Sequence, residues 1–403
     1  MDNYRRKKII FIHHGASIGG APFSMLEILR RMDKKKFSVL VILPEAGPFS
    51  DLLKKENIEY KIIPLFIFYY CPQCETSLSI RDLPILLRDI FRNLLYLPKI
   101  LKRENPDVVI LNASPLLLSG LIAKLMGKKV IWHIRETIST EKPGVLKKII
   151  AAIIRFSARK TIVMSIFSLK NVGRLGLNNA AIVYGGVDLK KFRPKSVSSE
   201  EFKKLGLNEN DKIVGFVGQI YKEKGCFKLI ETAPLVIQKL PDVKFLIVGS
   251  GDMMDRENDN DSKISENHKI DLLFRRIVDE KKLSDNFIFL GQRFDVEDIL
   301  PLIDCLTFPS IAPEPFGGVM IEAMACGLPV VASDIGASQE IVVDNITGLL
   351  VKPGDPKALS EALIDILTDE EKARRFGEAG RKRAEELFDI EKIAPQLMNM
   401  YGI

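Results

Sequence analysis

Residues 304–333, DCLTFPSIAPEPFGGVMIEAMACGLPVVAS, decide the fold. Both ends, DCLTFPS and PVVAS, are short β-branched and aliphatic runs. Between them a Pro-Phe-Gly-Gly turn (Pro315 to Gly318) leads into helix-forming residues. Strand, turn, helix and strand in so short a span make a crossover unit, which joins parallel strands. Strand-like runs also precede it at 212–218 (KIVGFVG), 243–249 (VKFLIVG) and 286–291 (NFIFLG). A separate series lies at 7–14 (KKIIFIHH), 37–43 (FSVLVIL), 107–113 (DVVILNA), 128–134 (KKVIWHI) and 160–165 (KTIVMS), again with helical stretches between. Two α/β units in tandem are expected. The polar run 188–200, DLKKFRPKSVSSE, is the expected linker, placed near residue 194.

With 403 residues, 46% hydrophobic and 28% charged, the chain can bury full cores and is neither one small module nor disordered. Cys71, Cys74, Cys226, Cys305 and Cys326 form an odd, scattered set, which points to a reducing compartment, the cytoplasm. Cys71 and Cys74 have a metal-like spacing but no second pair, so loop cysteines are expected rather than zinc. The apolar run after the basic N-terminus spans only Ile9 to Ile12, and the stretch 108–126 is cut by Asn112, Pro115 and Lys124. Neither an export signal nor a membrane-spanning helix is expected. Residues 252–271, DMMDRENDNDSKISENHKID, read as a mobile acidic surface insertion.

Charge divides the chain sharply. Residues 1–194 hold 33 Lys and Arg against 15 Asp and Glu; the rest holds 26 against 37. The basic half suggests an anionic partner, a membrane surface or phosphate-bearing lipid, rather than nucleic acid, for which no recognition motif accompanies the charge. Its stretches 83–102 (LPILLRDIFRNLLYLPKILK) and 145–160 (VLKKIIAAIIRFSARK) are amphipathic with cationic flanks. They fit either core-facing helices with a solvated basic face or helices lying in a membrane interface.

In open α/β sheets ligands sit beyond the carboxyl ends of strands, where glycines let backbone amides approach phosphate. Three loops qualify. The first, 13–29, carries Gly15, Gly19 and Gly20 before a helix near Pro22, with His13 and His14 either touching substrate or packing at the strand end. The second, 218–233, GQIYKEKGCFKLIETA, places Lys224 where an ammonium can meet a phosphate. In the third, Glu314 precedes the Gly317-Gly318 turn and Glu322 lies inside the following helix, suited to accept the two hydroxyls of a ribose.

EPFGGVMIE (314–322) resembles the E-x7-E motif of the large family four of retaining GT-B glycosyltransferases, which use nucleotide-diphosphate sugars. Other stretches follow in family order: GGAPFS, VYGGVDLKKFRP, GQIYKEKG, FLIVGSGD, FIFLG and GLPVVASDIGASQEIVVDNITGLLVKPGD. The resemblance implies a GT-B fold, two Rossmann-like domains facing across a cleft. An acceptor-binding domain would span 1–194, a donor-binding domain 195–389, and a C-terminal helix, 390–403, would cross back to the first domain.

It further implies that Glu322 holds the ribose, that Glu314 lies near the sugar and reaction centre, and that Phe316, Gly317, Gly318 and Val319 offer backbone contacts. Lys224 would hold the diphosphate, with Gly19 and Gly20 also at the donor. His133 matches the family's histidine near the donor sugar; Arg135 and Glu136 would touch acceptor or donor, or pair with each other. Where the family usually has an arginine, this chain has Gln219, one fixed positive charge fewer for the leaving diphosphate; Arg293, Lys222 or a residue of the first domain are candidate substitutes, and low activity is the alternative. No metal is needed in this reading, and lysine and helix dipoles carry the electrostatics. The partners implied are a nucleotide-sugar donor, a lipid-linked or saccharide acceptor and an anionic membrane surface, at the inner face of which the protein would be peripheral. A sugar-nucleotide epimerase or hydrolase, and a non-catalytic nucleotide-sugar-binding subunit, remain as alternatives.

Overall fold

Aliphatic runs of the kind quoted above bury both faces only when helices cover both sides of a parallel sheet. The computed structural model describes residues 5–67, 83–137, 145–251 and 266–402. It divides into one unit of Met1–Tyr184 with Lys392–Ile403 and another of Gly185–Glu391.

In the first unit, strands β1 (Lys7–Ile12), β2 (Phe37–Leu43), β3 (Tyr60–Ile62), β4 (Val108–Leu111), β5 (Lys129–Ile134), β6 (Lys160–Val163) and β7 (Ala180–Ile182) form a seven-stranded sheet. Their order is β3-β2-β1-β4-β5-β6-β7, and every pairing is parallel. Consecutive residues Ile9 to Ile12 are all fully buried, so both faces are covered. Trp132 on β5 packs against Gly120, where a Cβ would lie 2.5 Å from the indole ring.

The second unit repeats the plan with β8 (Ile213–Val217), β9 (Lys244–Val248), β10 (Phe287–Gly291), β11 (Cys305–Phe308), β12 (Val330–Ser333) and β13 (Gly348–Val351). These run parallel in the order β10-β9-β8-β11-β12-β13. The edge strands β3, β7 and β13 have no counterpart among the sequence readings. Strands β3 and β7, with three part-exposed residues each, are too short to show a pattern, and the four residues of β13 open on a glycine.

Three expectations need correction. Residues 185–194 belong to the second unit, not the first: Val187 bridges Asp389, and Arg381 donates to the Phe192 carbonyl at 3.0 Å. The polar linker is structured, since Asp188 closes a turn and Ser198 caps the helix Ser199–Lys204 in a capping box. The acidic run ends early. A helix, Glu266–Glu280, covers residues 266–271, because Ile270, Phe274, Ile277 and Val278 recur on one helical face and pack on the core. Residues 252–265 and the Cys71–Cys74 pair lie outside the described residues.

Both basic amphipathic stretches form helices, Leu83–Glu104 and Val145–Ser157. The first buries Leu97, Ile100 and Leu101 yet exposes Leu87, Phe91, Leu94 and Leu95 beside exposed Arg88 and Arg92; the second exposes Ile149 and Phe156 beside Lys148 and Arg155. No helix among the described residues is long and apolar enough to cross a membrane.

Candidate functional site

Each sheet has one point where the chain reverses its direction of travel, between β1 and β4 in the first unit and between β8 and β11 in the second. Loops leaving adjacent strands there diverge and open a crevice at the carboxyl ends. Most of the sequence-derived candidates collect at these two places; Arg293 instead follows the edge strand β10.

In the second unit, the loop after β8 forms a short 3-10 turn, Lys222–Lys224, and passes through Gly225 at φ +75° into the helix Cys226–Ile237. Gly225 is required twice over. Its φ is left-handed, and a Cβ there would lie 1.8 Å from the Pro309 carbonyl oxygen. The loop after β11 is strapped to the first loop through the Glu223 carbonyl, which accepts from Ile311 N at 2.8 Å and Ser310 Oγ at 2.8 Å. This brings Lys224 Nζ to 2.7 Å from Glu314 Oε1, with Ser310 Oγ at 3.3 Å from the same oxygen. Gly336, at φ +65°, lets the next strand-end loop close on the Glu314 backbone, and Ala337 N donates to the Glu314 carbonyl at 3.1 Å.

Gly317 at φ +95° opens the helix Gly318–Ala325, with no side-chain cap on its first amides. Phe316 is buried against Phe388 and anchors the turn. Glu322, one turn into the helix, makes no side-chain hydrogen bond or ion pair among the described residues. Burial pushes its carboxyl up to about 7; the Lys191 ammonium draws it down and the Glu297 carboxylate adds to the rise. Lys191 and Glu297 themselves pair at 3.0 Å. Arg293 forms a two-pronged pair with Asp295 at 2.8 and 2.5 Å, as Lys224 pairs with Glu314. Gln219, half-buried at the end of β8, carries no charge; the same loop holds two lysines, exposed Lys222 and half-buried Lys224, and it is Lys224 that meets Glu314.

In the first unit, the candidates form a buried polar chain. His13, at the end of β1, contacts Asn112 Nδ2 at 3.1 Å across the switch point. Asn112 Oδ1 accepts from Arg135 Nε at 2.7 Å, and Arg135 Nη2 lies 3.5 Å from His133 Nδ1. Tyr401 Oη, from the C-terminal helix Ile390–Tyr401, lies 3.2 Å from that same Nδ1. Arg135 and Glu136 do not pair as the local reading allowed. The guanidinium turns inward, while Glu136 Oε2 accepts from the amides of Ser114 and Arg135 at 3.1 and 3.2 Å.

Burial, with Arg135 close by, holds both His13 and His133 well below the usual histidine range, and His14 adds to this at His13. Three buried atoms here have no partner among the described residues: His14 Nδ1, His133 Nε2 and Glu136 Oε1. Buried polar atoms are normally satisfied, by protein, ordered water or ligand, so these three atoms each call for a further partner. The glycines nearby agree with that. Gly19 and Gly20, at the start of the helix Gly20–Arg31, have no left-handed φ and nothing within 4 Å of a notional Cβ. The fold does not require glycine there, unlike at Gly225 or Gly317.

Sequence reasoning missed Asn112, Ser310, Glu297 and Tyr401. Lys191 lay inside a quoted stretch without a role; for Tyr401 no local signal existed, since its partner is 268 residues away. Among the described residues no group of three or more His, Cys, Asp or Glu could hold a metal ion.

Two doubly wound parallel sheets with glycine loops at both switch points define a protein of GT-B type. Residues 197–383 match the model for glycosyl transferases group 1, and residues 18–191 match that for glycosyltransferase family 4. The chain belongs to the large family four of GT-B glycosyltransferases. Spore coat protein SA of Bacillus subtilis is 31% identical over 226 residues, 54% of this chain and 57% of that protein. The capsular polysaccharide biosynthesis glycosyltransferase CapM of Staphylococcus aureus is 29% identical, covering 77% of this chain and 80% of its own length. The UDP-Gal:alpha-D-GlcNAc-diphosphoundecaprenol alpha-1,3-galactosyltransferase of Escherichia coli is 24% identical, covering 98% and 96%. Among solved structures, Anabaena HepE in complex with UDP and glucose shares the fold at TM-score 0.80 and 21% identity, covering 98% of this chain and 100% of that one.

Proposed function

We propose that this protein transfers a sugar from a nucleotide-diphosphate sugar to an acceptor hydroxyl, with retention of anomeric configuration and without a metal, in polysaccharide or glycolipid assembly. The observation that carries this reading is the second unit's switch point. There Lys224 and Glu314 meet, uncapped amides open the helix Gly318–Ala325, and the unbonded Glu322 carboxyl follows one turn later. A ribose diol donates to Glu322, the diphosphate takes Lys224 from its resting ion pair, and the helix amides add partial positive charge. Lys224 then stabilises the leaving diphosphate as its bond to the anomeric carbon breaks. The acceptor oxygen bonds that carbon from the same face, and its proton passes to a diphosphate oxygen, so no protein nucleophile is needed.

The first unit receives the acceptor and contributes the His133 cluster. A lipid-linked acceptor is favoured by the exposed apolar residues of the helices Leu83–Glu104 and Val145–Ser157, interleaved with Arg88, Arg92, Lys148 and Arg155, a composition suited to an anionic membrane interface. The diphosphoundecaprenol named for the E. coli relative is an acceptor of that chemistry. Peripheral attachment at the cytoplasmic face follows from this reading.

The test is incubation with sugar-labelled UDP-, GDP- and ADP-sugars, with and without a membrane lipid extract. Label moving to lipid from one donor, its anomeric configuration unchanged by NMR, supports the proposal. Donor consumed without any acceptor points to a hydrolase or epimerase. Binding without turnover points to a nucleotide-sugar-binding subunit, the reading that Gln219 favours.

A further inference from the structure

We propose that Arg135 and Tyr401 lock His133 as the neutral imidazole protonated on Nε2, and that Tyr401 is thereby a positioning residue of the first unit's site. Donor chemistry decides the tautomer. A guanidinium only donates, and Arg135 Nη2 lies 3.5 Å from His133 Nδ1. A proton on Nδ1 would face that cation, so Nδ1 keeps its lone pair. The Tyr401 hydroxyl, 3.2 Å from the same nitrogen, then donates to it. Burial pushes the Tyr401 phenol up to about 12, so it stays a neutral donor at any working pH.

The proton therefore sits on Nε2, the ring nitrogen that is buried with no partner among the described residues. A buried donor of this kind needs an acceptor oxygen, from a ligand or an ordered water. The result is a fixed hydrogen-bond donor rather than a general base. The other groups bearing on the ring reinforce this. Arg135, itself 6% exposed, has no carboxylate within ion-pair distance among the described residues, Glu136 spends one oxygen on backbone amides, and His13 is neutral at the far end of the Asn112 link. Packing keeps Tyr401 in place, since it is 2% exposed and its ring lies edge-on against Phe11 of β1 at 5.9 Å.

That His133 faces substrate rests on the function proposed above, but the test of its tautomer needs no turnover. Nitrogen-15 NMR of the full chain can resolve its four histidines, with His133→Gln assigning the signals. The expected spectrum shows His133 with Nε2 protonated and Nδ1 bare, unchanged from about pH 5.5 to 8. In Tyr401→Phe the Nδ1 resonance moves while the fold persists, and if the transferase assay succeeds, kcat falls about three- to tenfold with donor KM little changed. Protonation on Nδ1, or an imidazolium forming within that pH range, overturns the proposal. So does a His133 signal indifferent to Tyr401→Phe. Should Tyr401→Phe fail to fold, the wild-type spectrum alone decides the tautomer.

Discussion

The two switch points solve the same problem with different materials. In the second unit the site is made by backbone: Gly225, Gly317 and Gly336 hold left-handed turns, two of them against neighbouring backbone, and the charged side chains Lys224 and Glu314 rest on each other. In the first unit the glycines at the loop are unconfined, and the site is made by buried side chains drawn from three strand ends and the C-terminal helix. One site tolerates little change in shape, the other little change in polarity. On the function proposed above, this separates a rigid cradle for the constant part of the donor from a polar wall that can be tuned.

The largest effect expected on this contrast comes from Gly225→Ala. A methyl 1.8 Å from the Pro309 oxygen on a left-handed backbone should cost the second unit about 3 kcal/mol or more, read as a loss of thermal stability or of soluble protein. Lys224→Ala should leave the fold intact and lower turnover about a hundredfold or more, because the leaving diphosphate loses its cation; stopped assays with saturating donor measure this. Leu87→Glu with Phe91→Glu should weaken binding to anionic vesicles about tenfold or more in a sedimentation assay, without changing nucleotide affinity. Smallest is Gly19→Ala, expected to shift stability by less than about 0.5 kcal/mol while raising substrate KM several-fold. A large loss of stability from Gly19→Ala would erase the distinction between the two regions.

What could be read in the sequence follows the same division. The alternation of aliphatic runs and helical stretches disclosed both sheets, because strands buried on both faces write themselves as uninterrupted hydrophobic residues. The second unit's candidates could be picked out too, since Glu314, Gly317, Gly318 and Glu322 lie close together along the chain and Lys224 beside Gly225 follows a strand-like run. The edge strands β3 and β7 escaped because three part-exposed residues carry no period, and β13 because it is only four residues led by a glycine. Asn112 and Tyr401 escaped because only the fold brings them to Arg135 and His133. Arg135 and Glu136, adjacent in sequence, invited an ion pair, but the guanidinium is held by Asn112 and the carboxylate by the amides of Ser114 and Arg135. The acidic insertion was drawn too long, because charge at its end concealed the apolar face of the helix Glu266–Glu280.

Glu322 provides the most direct measurement. Its carboxyl, raised by burial to about 7, binds a proton more tightly folded than unfolded. Its contribution to stability is therefore full below the ordinary glutamate range and lost as pH rises through about 7. Ribose binding has the opposite sign, since only the ionised carboxylate accepts both hydroxyls. Calorimetric titration with nucleoside diphosphates, across about pH 6 to 8, should show wild-type affinity rising with pH relative to Glu322→Gln, which should bind about tenfold more weakly at the alkaline end. Equal affinity and equal pH dependence in the two proteins would contradict the assignment of this helix as the nucleotide's seat.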